Sequence, residues 1–587
     1  MYVITFMAYI HATDAFVWTT KQCFVPQSSK VSRSAVDRRT GILSSHRALS
    51  TPQERSQKAK ETWSTVALQS TSNTNRKNVY LNGDSTAVYN KILWDEFCTI
   101  KGTYFINGLA SCQIGDRLIH PFEAHGFIKS MVFDGQGEMR YTSNIVSTPL
   151  TLKELSSNRI VNRGVMSSVA NMDTILGKIQ NAISSSRRDT ANLTADLWPP
   201  PGTINNDGIE SVLITCTDNG EPYALDPYTL ETRGRLVDVV PKLKSVFPEG
   251  TKFLAHNRVD DDRNRLILCA YKMVIPGQNF LGNTRMEFIE LDDNFDMVSR
   301  REFTTRFMVF HDWALTENYY VVPKNPAYLR WNNILKFVLG LSVGTDVFEM
   351  EEETNGEFVL IPRHDIEEEV KEVKTDSFFN CFHFGPVYEE ATKEMVVHGC
   401  VFDSYTFGGE MGFDGYEQKF SPIEWGSTGL ESNGAMAPAP RLDKFIIDIN
   451  TSKIKSKTRI PCIPVDMPNF HGDAKPCKHS YFLGAERPEG WFPFKQIVKL
   501  NCETFESSVY DAGDDKVVSE PMFLSRENPR TEDDGFVLSV IHDATNKTTK
   551  LVVWESQSFA EGPIAECVLG NLIPWCVHGS WYPNFNP

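Results

Sequence analysis

Short, strand-like segments recur roughly every ten to twenty residues along this chain, and no other feature constrains its fold as strongly. "ESVLITCTD", "RLILCAYKMVI", "TRMEFIELDD", "NYYVVPK", "EFVLIPR", "KFIIDIN" and "DGFVLSVIHD" are each rich in β-branched and aromatic residues and bounded by Gly, Pro, Asn or Asp. The repetition begins near residue 79 and continues for roughly five hundred residues, the mark of an all-β sandwich, barrel or propeller. A sandwich rarely grows so large, whereas a propeller of about seven blades, each of about 70 residues, uses this length. Helical periodicity is confined to 166–186 and 330–342, read as insertions over a β scaffold.

The first 78 residues differ in kind. "MYVITFMAYIHATDAF" is short, apolar and signal-like, and the stretch that follows is rich in Ser, Arg and Lys and almost free of acid. Those are features of a targeting segment rather than a fold. The join "ATDAFVW" looks like the Ala-Phe cleavage motif of algae with complex plastids, such as diatoms. A disordered leader over 1–78, a domain over 79–587 and a plastid address are therefore expected, with another organelle or the cytoplasm as the alternative. No uncharged apolar run reaches the 18 or so residues of a membrane span.

Charge narrows the partners. With 59 basic and 75 acidic residues the formal charge is −16, which argues against nucleic acid and leaves a neutral, apolar small molecule open. Twelve cysteines occur with no C-x-x-C spacing, which disfavours a thiolate zinc site.

Four of the thirteen histidines share one local grammar, an apolar lead-in followed by His: "FLAH" at His256, "MVFH" at His311, "NCFH" at His383 and "WCVH" at His578. Neutral imidazole is the commonest metal ligand, and a rigid strand fixes its aim. Successive separations of 55, 72 and 195 residues correspond to about one, one and three blades. Histidines on the inner strands of such blades would converge on the propeller axis. His398 in "MVVHGC" and His542 in "SVIHD" fit the same local pattern, so pattern alone does not select the four.

Family resemblance does select them. "FLAHNRVDDDRNRL", "FHDWALTENYYVVP", "NCFHFGPVYEE", "SEPMFLSRENPRTEDDGFVLSVIHD" and "VHGSWYPNF" together resemble the carotenoid cleavage oxygenases in order and approximate spacing. Upstream, "GTYFINGLASCQIGD" with "HPFEAHGFIKSMVF" is similar to that family's opening blade, and "GEPYALDPYTLETRG" to its second. The resemblance implies a seven-bladed β-propeller with a dome of loops and helices. It also implies one non-haem iron(II) per chain held by His256, His311, His383 and His578, with dioxygen as co-substrate. Oxidative cleavage of a conjugated double bond in a carotenoid or apocarotenoid is the expected reaction. The alternatives are a non-oxidative isomerase of the same fold and a non-catalytic terpenoid-binding propeller. The apolar polyene needs an apolar tunnel, whose walls some of the 37 phenylalanines can supply.

In that family three glutamates orient the histidines. Glu520 stands at the matching place in "SEPMF", but the other two positions carry Asp218 and Asp466, each one methylene shorter. Reach to the imidazoles is the open question, and neighbouring Glu221 is a stand-in for Asp218. The C-terminal tail is expected to dock, deliver His578 and help close the last blade. The segment 330–342, with only Lys336 charged after Arg330, is a candidate peripheral membrane contact.

Overall fold

The computed structural model describes residues 52–68, 79–81 and 99–586, except 186–187, 204–207, 209, 275–281, 352, 404–412, 415–418, 421–438, 473 and 486–491. Seven antiparallel sheets follow one another along the chain as blades of a propeller. Blade two comprises Asp196–Trp198, Val212–Thr215, Tyr223–Leu225 and Thr232–Arg235, and blade three comprises Arg258–Asp260, Arg265–Val274, Asn283–Leu291 and Met297–Arg306. Blade four is built on Tyr319–Leu329, blade five starts at Asn380–Glu389, blade six at Val465–Phe470 and blade seven at Lys516–Val518.

The period-two alternation of a strand explains how the blades stack. In Arg265–Val274, Leu266, Leu268 and Ala270 face a core shared with blade two. The alternate residues Ile267, Cys269 and Tyr271 face a core shared with blade four. A middle strand with both faces buried therefore reads as a nearly continuous apolar run. The outer strand Met297–Arg306 lies at the rim and alternates exposed with half-buried residues.

The ring is closed by the C-terminus, but not on the last blade as the sequence suggested. Cys576–Tyr582 pairs antiparallel with Lys101–Gly108 and becomes the innermost strand of blade one. Gly579 is required there, because a Cβ at that position would lie 2.5 Å from the Phe105 carbonyl oxygen. Tyr582 Oη accepts from the Leu197 N–H at 2.7 Å, and Phe585 is buried against Phe105, so the tail is fixed beyond the strand. This closure makes the 195-residue step from His383 to His578 a passage of three blades.

The helices correct three expectations. Within 166–186 the helix is Ile175–Ile183, capped by Thr174, whose Oγ1 accepts from Gly177 N–H at 3.0 Å. The residues before it are held out of the helix by other partners: the Val165 carbonyl accepts from the Thr345 N–H at 3.0 Å and the Val169 N–H donates to Asn181 Oδ1 at 3.1 Å. Helical structure is not confined to the two expected places, since Pro149–Ser157 forms a third helix. Its signal was Thr148-Pro149, a capping threonine before a proline at the first helical position.

The leader also needs correction. Pro52–Ala67 is a helix, and Trp63, 1% exposed, enters the core beside Phe492 and Trp575. The rest of the expected leader, residues 1–51 with the signal-like stretch and residues 69–78, lies outside the described residues.

The second expected helix is Trp331–Val338. It lies against Ile175–Ile183 so closely that a Cβ on Gly340 would fall 2.5 Å from the Lys178 carbonyl oxygen. These insertions supply the dome.

Candidate metal centre

His256 lies just ahead of the innermost strand of blade three, and His311 lies between the two short inner strands of blade four. His383 lies on the innermost strand of blade five and His578 on that of blade one. All four are buried, and each offers one nitrogen within 4.8 Å of the others. The Nε2 atoms of His256 and His311 are 3.0 Å apart, and His256 and His578 meet edge to face with centroids 4.6 Å apart.

Three carboxylates aim three of these rings. His311 Nδ1–H donates to Asp218 Oδ2 at 2.5 Å, His383 Nδ1–H to Asp466 Oδ1 at 2.8 Å, and His578 Nδ1–H to Glu520 Oε1 at 2.9 Å. The shorter aspartates therefore reach. Asp218 does so from the loop after Val212–Thr215, and its Oδ1 also accepts from the Ala255 N–H at 2.8 Å, tying the approach to His256. Glu221, the stand-in, pairs with Arg235 at 3.1 Å, and it is Asp218 that meets the ring. Glu520 Oε2 accepts from the Gly579 N–H at 3.2 Å, so one carboxylate grips both the ring and the backbone of the closing strand.

Asp312 was missed by sequence reasoning. It receives the Arg258 guanidinium at 2.5 Å and the Phe384 N–H at 3.0 Å, and it stands 3.8 Å from His256 Nδ1. The signal was its place directly after a candidate ligand, in "FHDW". The decoy histidines sit elsewhere. His398 Nδ1 donates to the Pro386 carbonyl at 2.8 Å, and His542 lies between Ser519 and Thr549.

The donor set fits a metal cation. A neutral imidazole that donates its Nδ1–H to a carboxylate turns an Nε2 lone pair inward. The Nε2 atoms of His256 and His311, 3.0 Å apart, are close enough to share one cation. His383 Nε2 is buried without a protein partner. Burial, reinforced by the other three rings, drives the His256 pKa well down. Burial also lowers His383 despite Asp466, whereas at His311 the charge and hydrogen bond of Asp218 overcome burial and raise the pKa. An all-imidazole set suits Fe, Cu, Ni or Zn more than Mg or Ca.

Two unlike cavities meet at the rings. On the dome side, one of about 130 Å³ reaches His311, His383 and His578 and is lined by Phe122, Val165, Met166, Phe310, Phe382 and Val577 among others. Phe382 stacks on the His311 ring at 4.4 Å. On the other side, a cavity of about 540 Å³ carries Asp196, Arg258, Asp261 and Asp312.

Fold and site together define a seven-bladed propeller with a four-histidine metal-binding site on its axis. The model of the family described as "RPE65: Retinal pigment epithelial membrane protein" matches residues 99–583, and the chain belongs to this family, that of the carotenoid cleavage oxygenases. It is 24% identical over 491 residues to the apocarotenoid-15,15'-oxygenase of Synechocystis sp., covering 82% of this chain and 90% of the relative. It is 23% identical to the chloroplastic carotenoid cleavage dioxygenase 7 of Oryza sativa subsp. japonica, with 82% and 85% covered. The solved structure of the cobalt-substituted Synechocystis enzyme superposes with a TM-score of 0.71 at 21% identity, covering 89% of this chain and 98% of that one.

Proposed function

We propose that the chain is an iron(II)-dependent dioxygenase that cleaves a conjugated carbon–carbon double bond of a carotenoid or apocarotenoid to two carbonyl products. The observation that carries this reading is the junction of the four-imidazole cluster with a buried apolar cavity. His256, His311, His383 and His578 would hold one iron, and Asp218, Asp466 and Glu520 would fix their tautomers and ring angles. Iron(II) held there would supply the activation of dioxygen. The chain holds the four rings, excludes bulk water from the cavity with the side chains of Phe122, Phe310 and Phe382, and lays an apolar polyene beside the metal. No general base is required, and none of the carboxylates that hold the imidazoles is needed for proton transfer. The cobalt-substituted relative supports a divalent metal, and the relatives' names support an apocarotenoid or carotenoid substrate.

A plastid location is supported by the Ser-, Arg- and Lys-rich leader and by the chloroplastic relatives. Among the described residues no helix is long and apolar enough to cross a membrane. Peripheral contact is supported by the dome. Ile175 is 80% and Ile183 79% exposed on one helix, and Leu335 is 60% exposed on its neighbour, with Leu176, Ile179, Trp331, Leu339 and Leu341 also exposed. Phe337 instead points inward, 4% exposed under the Arg163 guanidinium at 4.1 Å, so 331–338 has an apolar surface on both sides. Val165 lines the cavity and also packs against the apolar cluster that holds Phe337 of this helix.

Incubation of the iron-loaded protein with a panel of carotenoids and apocarotenoids tests the reading. Two carbonyl products carrying oxygen from O₂ are expected. An isomerised but uncleaved polyene would replace it with the isomerase reading, and turnover of no polyene at full iron loading would overturn it.

A further inference from the structure

The helix Pro52–Ala67 lies outside the span matched by the family, yet it binds the seam where the ring closes. That seam joins blade seven to blade one, and it carries both His578 and Glu520. Trp63 meets Trp575 edge to face at 5.4 Å and Phe492 at 4.8 Å, and Phe492 meets Trp575 at 6.0 Å. Trp575 Nε1–H in turn donates to the Val518 carbonyl at 3.0 Å, and its own carbonyl accepts from the Leu109 N–H at 2.9 Å. One indole thus ties blade seven to blade one, three residues before His578 and at a strand that ends two residues before Glu520. The helix itself is anchored on both sides of the seam. Thr62 Oγ1 donates to the Asp514 carbonyl at 3.3 Å, and the Ala67 carbonyl accepts from the Cys112 N–H at 3.0 Å.

We infer that this helix is a latch on the metal centre: Trp63 is a positioning residue that, through Trp575, fixes the strand bearing His578, and the folded, metal-binding protein retains residues 52–68. The physical reason is the location of the seam. Six of the seven blades are continuous in sequence, but blade one is completed by a strand from the far end of the chain. Its attachment costs the closure of the whole ring and is the place where the His578 arm can come loose. A buried aromatic wedge spanning the two blades opposes that opening.

The inference rests on the proposed ligand assignment, and its test separates the two. In the full-length chain, cobalt(II) affinity and the visible d–d spectrum are measured for wild type, Trp63→Ala, Trp63→Phe, His578→Ala and Leu268→Ala. Leu268 is buried between blades two and three, away from the seam, and its truncation controls for general destabilisation. His578→Ala must weaken cobalt binding, and if it does not, the ligand assignment fails. Given that it does, Trp63→Ala is expected to weaken cobalt binding about 10-fold or more, the scale of losses around metal ligands. Its spectrum should shift toward that of His578→Ala, while Trp63→Phe restores both and Leu268→Ala leaves the spectrum unchanged. Wild-type affinity and spectrum in Trp63→Ala would overturn the latch. Should Trp63→Ala fail to fold, Trp63→Leu, which keeps apolar volume without the edge-to-face contacts, is read instead. The N-terminus of the protein isolated from its host gives an independent result. A start before residue 52 is expected, and a start beyond residue 68 in metal-loaded protein would overturn the inference.

Discussion

Replacing Asp466 with asparagine isolates what the carboxylates contribute, because the shape stays and only the charge goes. Asp466 Oδ1 accepts from both His383 Nδ1–H at 2.8 Å and the Met467 N–H at 2.9 Å, and an asparagine oxygen can keep both contacts. Both side chains are nearly sealed from water, at 3% and 4% exposure. A hydrogen bond to a charged group contributes about 1.5–3 kcal/mol, against about 0.5–1.5 for a neutral one. The difference, about 1–2 kcal/mol, corresponds to roughly a 5- to 30-fold loss of metal affinity. Asp466→Ala should lose more, because it also leaves the buried His383 Nδ1–H without an acceptor. Anaerobic titration with iron(II) against a chromophoric chelator reads the affinity, and melting of the metal-free proteins shows whether folding has changed. The same change at Asp218 should cost less, since its side chain is 36% exposed and water screens the charge. Affinity within twofold of wild type in Asp466→Asn, or a larger loss in Asp218→Asn than in Asp466→Asn, would refute this reasoning.

Alanine at His256, His311, His383 or His578 should abolish iron retention and turnover together, whereas His398→Ala and His542→Ala should keep iron; elemental analysis of the purified variants decides. Burial holds the His398 imidazole at a pKa of about 4, below the usual 6.5 or so of an unfolded chain. The unfolded chain therefore takes up that proton first as the pH falls. The stability His398 contributes is complete above about pH 6.5 and is lost toward pH 4, by roughly 2 kcal/mol at pH 5. Denaturant unfolding of wild type and His398→Gln at pH 7 and pH 5 should show a smaller drop in the variant. Flotation with neutral liposomes should fail for Ile179→Glu plus Leu335→Glu, with iron content unchanged. Because apolar burial carries that contact, wild-type flotation should resist salt; flotation of the double variant would remove this patch as the contact.

The strands were legible because both faces of a propeller's middle strands are apolar, and a short β-branched run between turn residues has few other uses. The leader hid its helix for the opposite reason. The leader is rich in Ser, Arg and Lys, and among its described side chains Trp63, Val66 and Ala67, one turn of apolar surface, mark the part that folds. Partners far away in sequence, Phe492 and Trp575, give those residues a place to bury, and no local window contains that information. The helix expected from residue 166 starts at 175 because Thr345, far along the chain, takes the Val165 carbonyl and the Asn181 side chain takes the Val169 N–H, leaving neither group for a helical turn. The capped helix Pro149–Ser157, by contrast, carried its start signal in plain view.

The histidines divide along the same line. His398 and His542 share the apolar lead-in of the four because they too lie on strands, but on the second strand of their blades, Glu394–Phe402 and Gly535–Asp543. Their rings turn into the packing between strands, onto the Pro386 carbonyl in one case and Ser519 and Thr549 in the other. A strand pattern specifies burial and leaves depth from the propeller axis open. Depth is set by the order of strands within a blade, and for His578 it is set by a strand exchanged from one end of the chain to the other. Only the motif order along the chain carried that order, and it did so through resemblance. The carboxylates come from more than one direction: Asp466 of blade six meets His383 of blade five and Glu520 of blade seven meets His578 of blade one, each from the next blade, whereas Asp218 reaches His311 of blade four from a loop of blade two. At 2.5 and 2.8 Å an aspartate is long enough to hold the ring in two of these pairs.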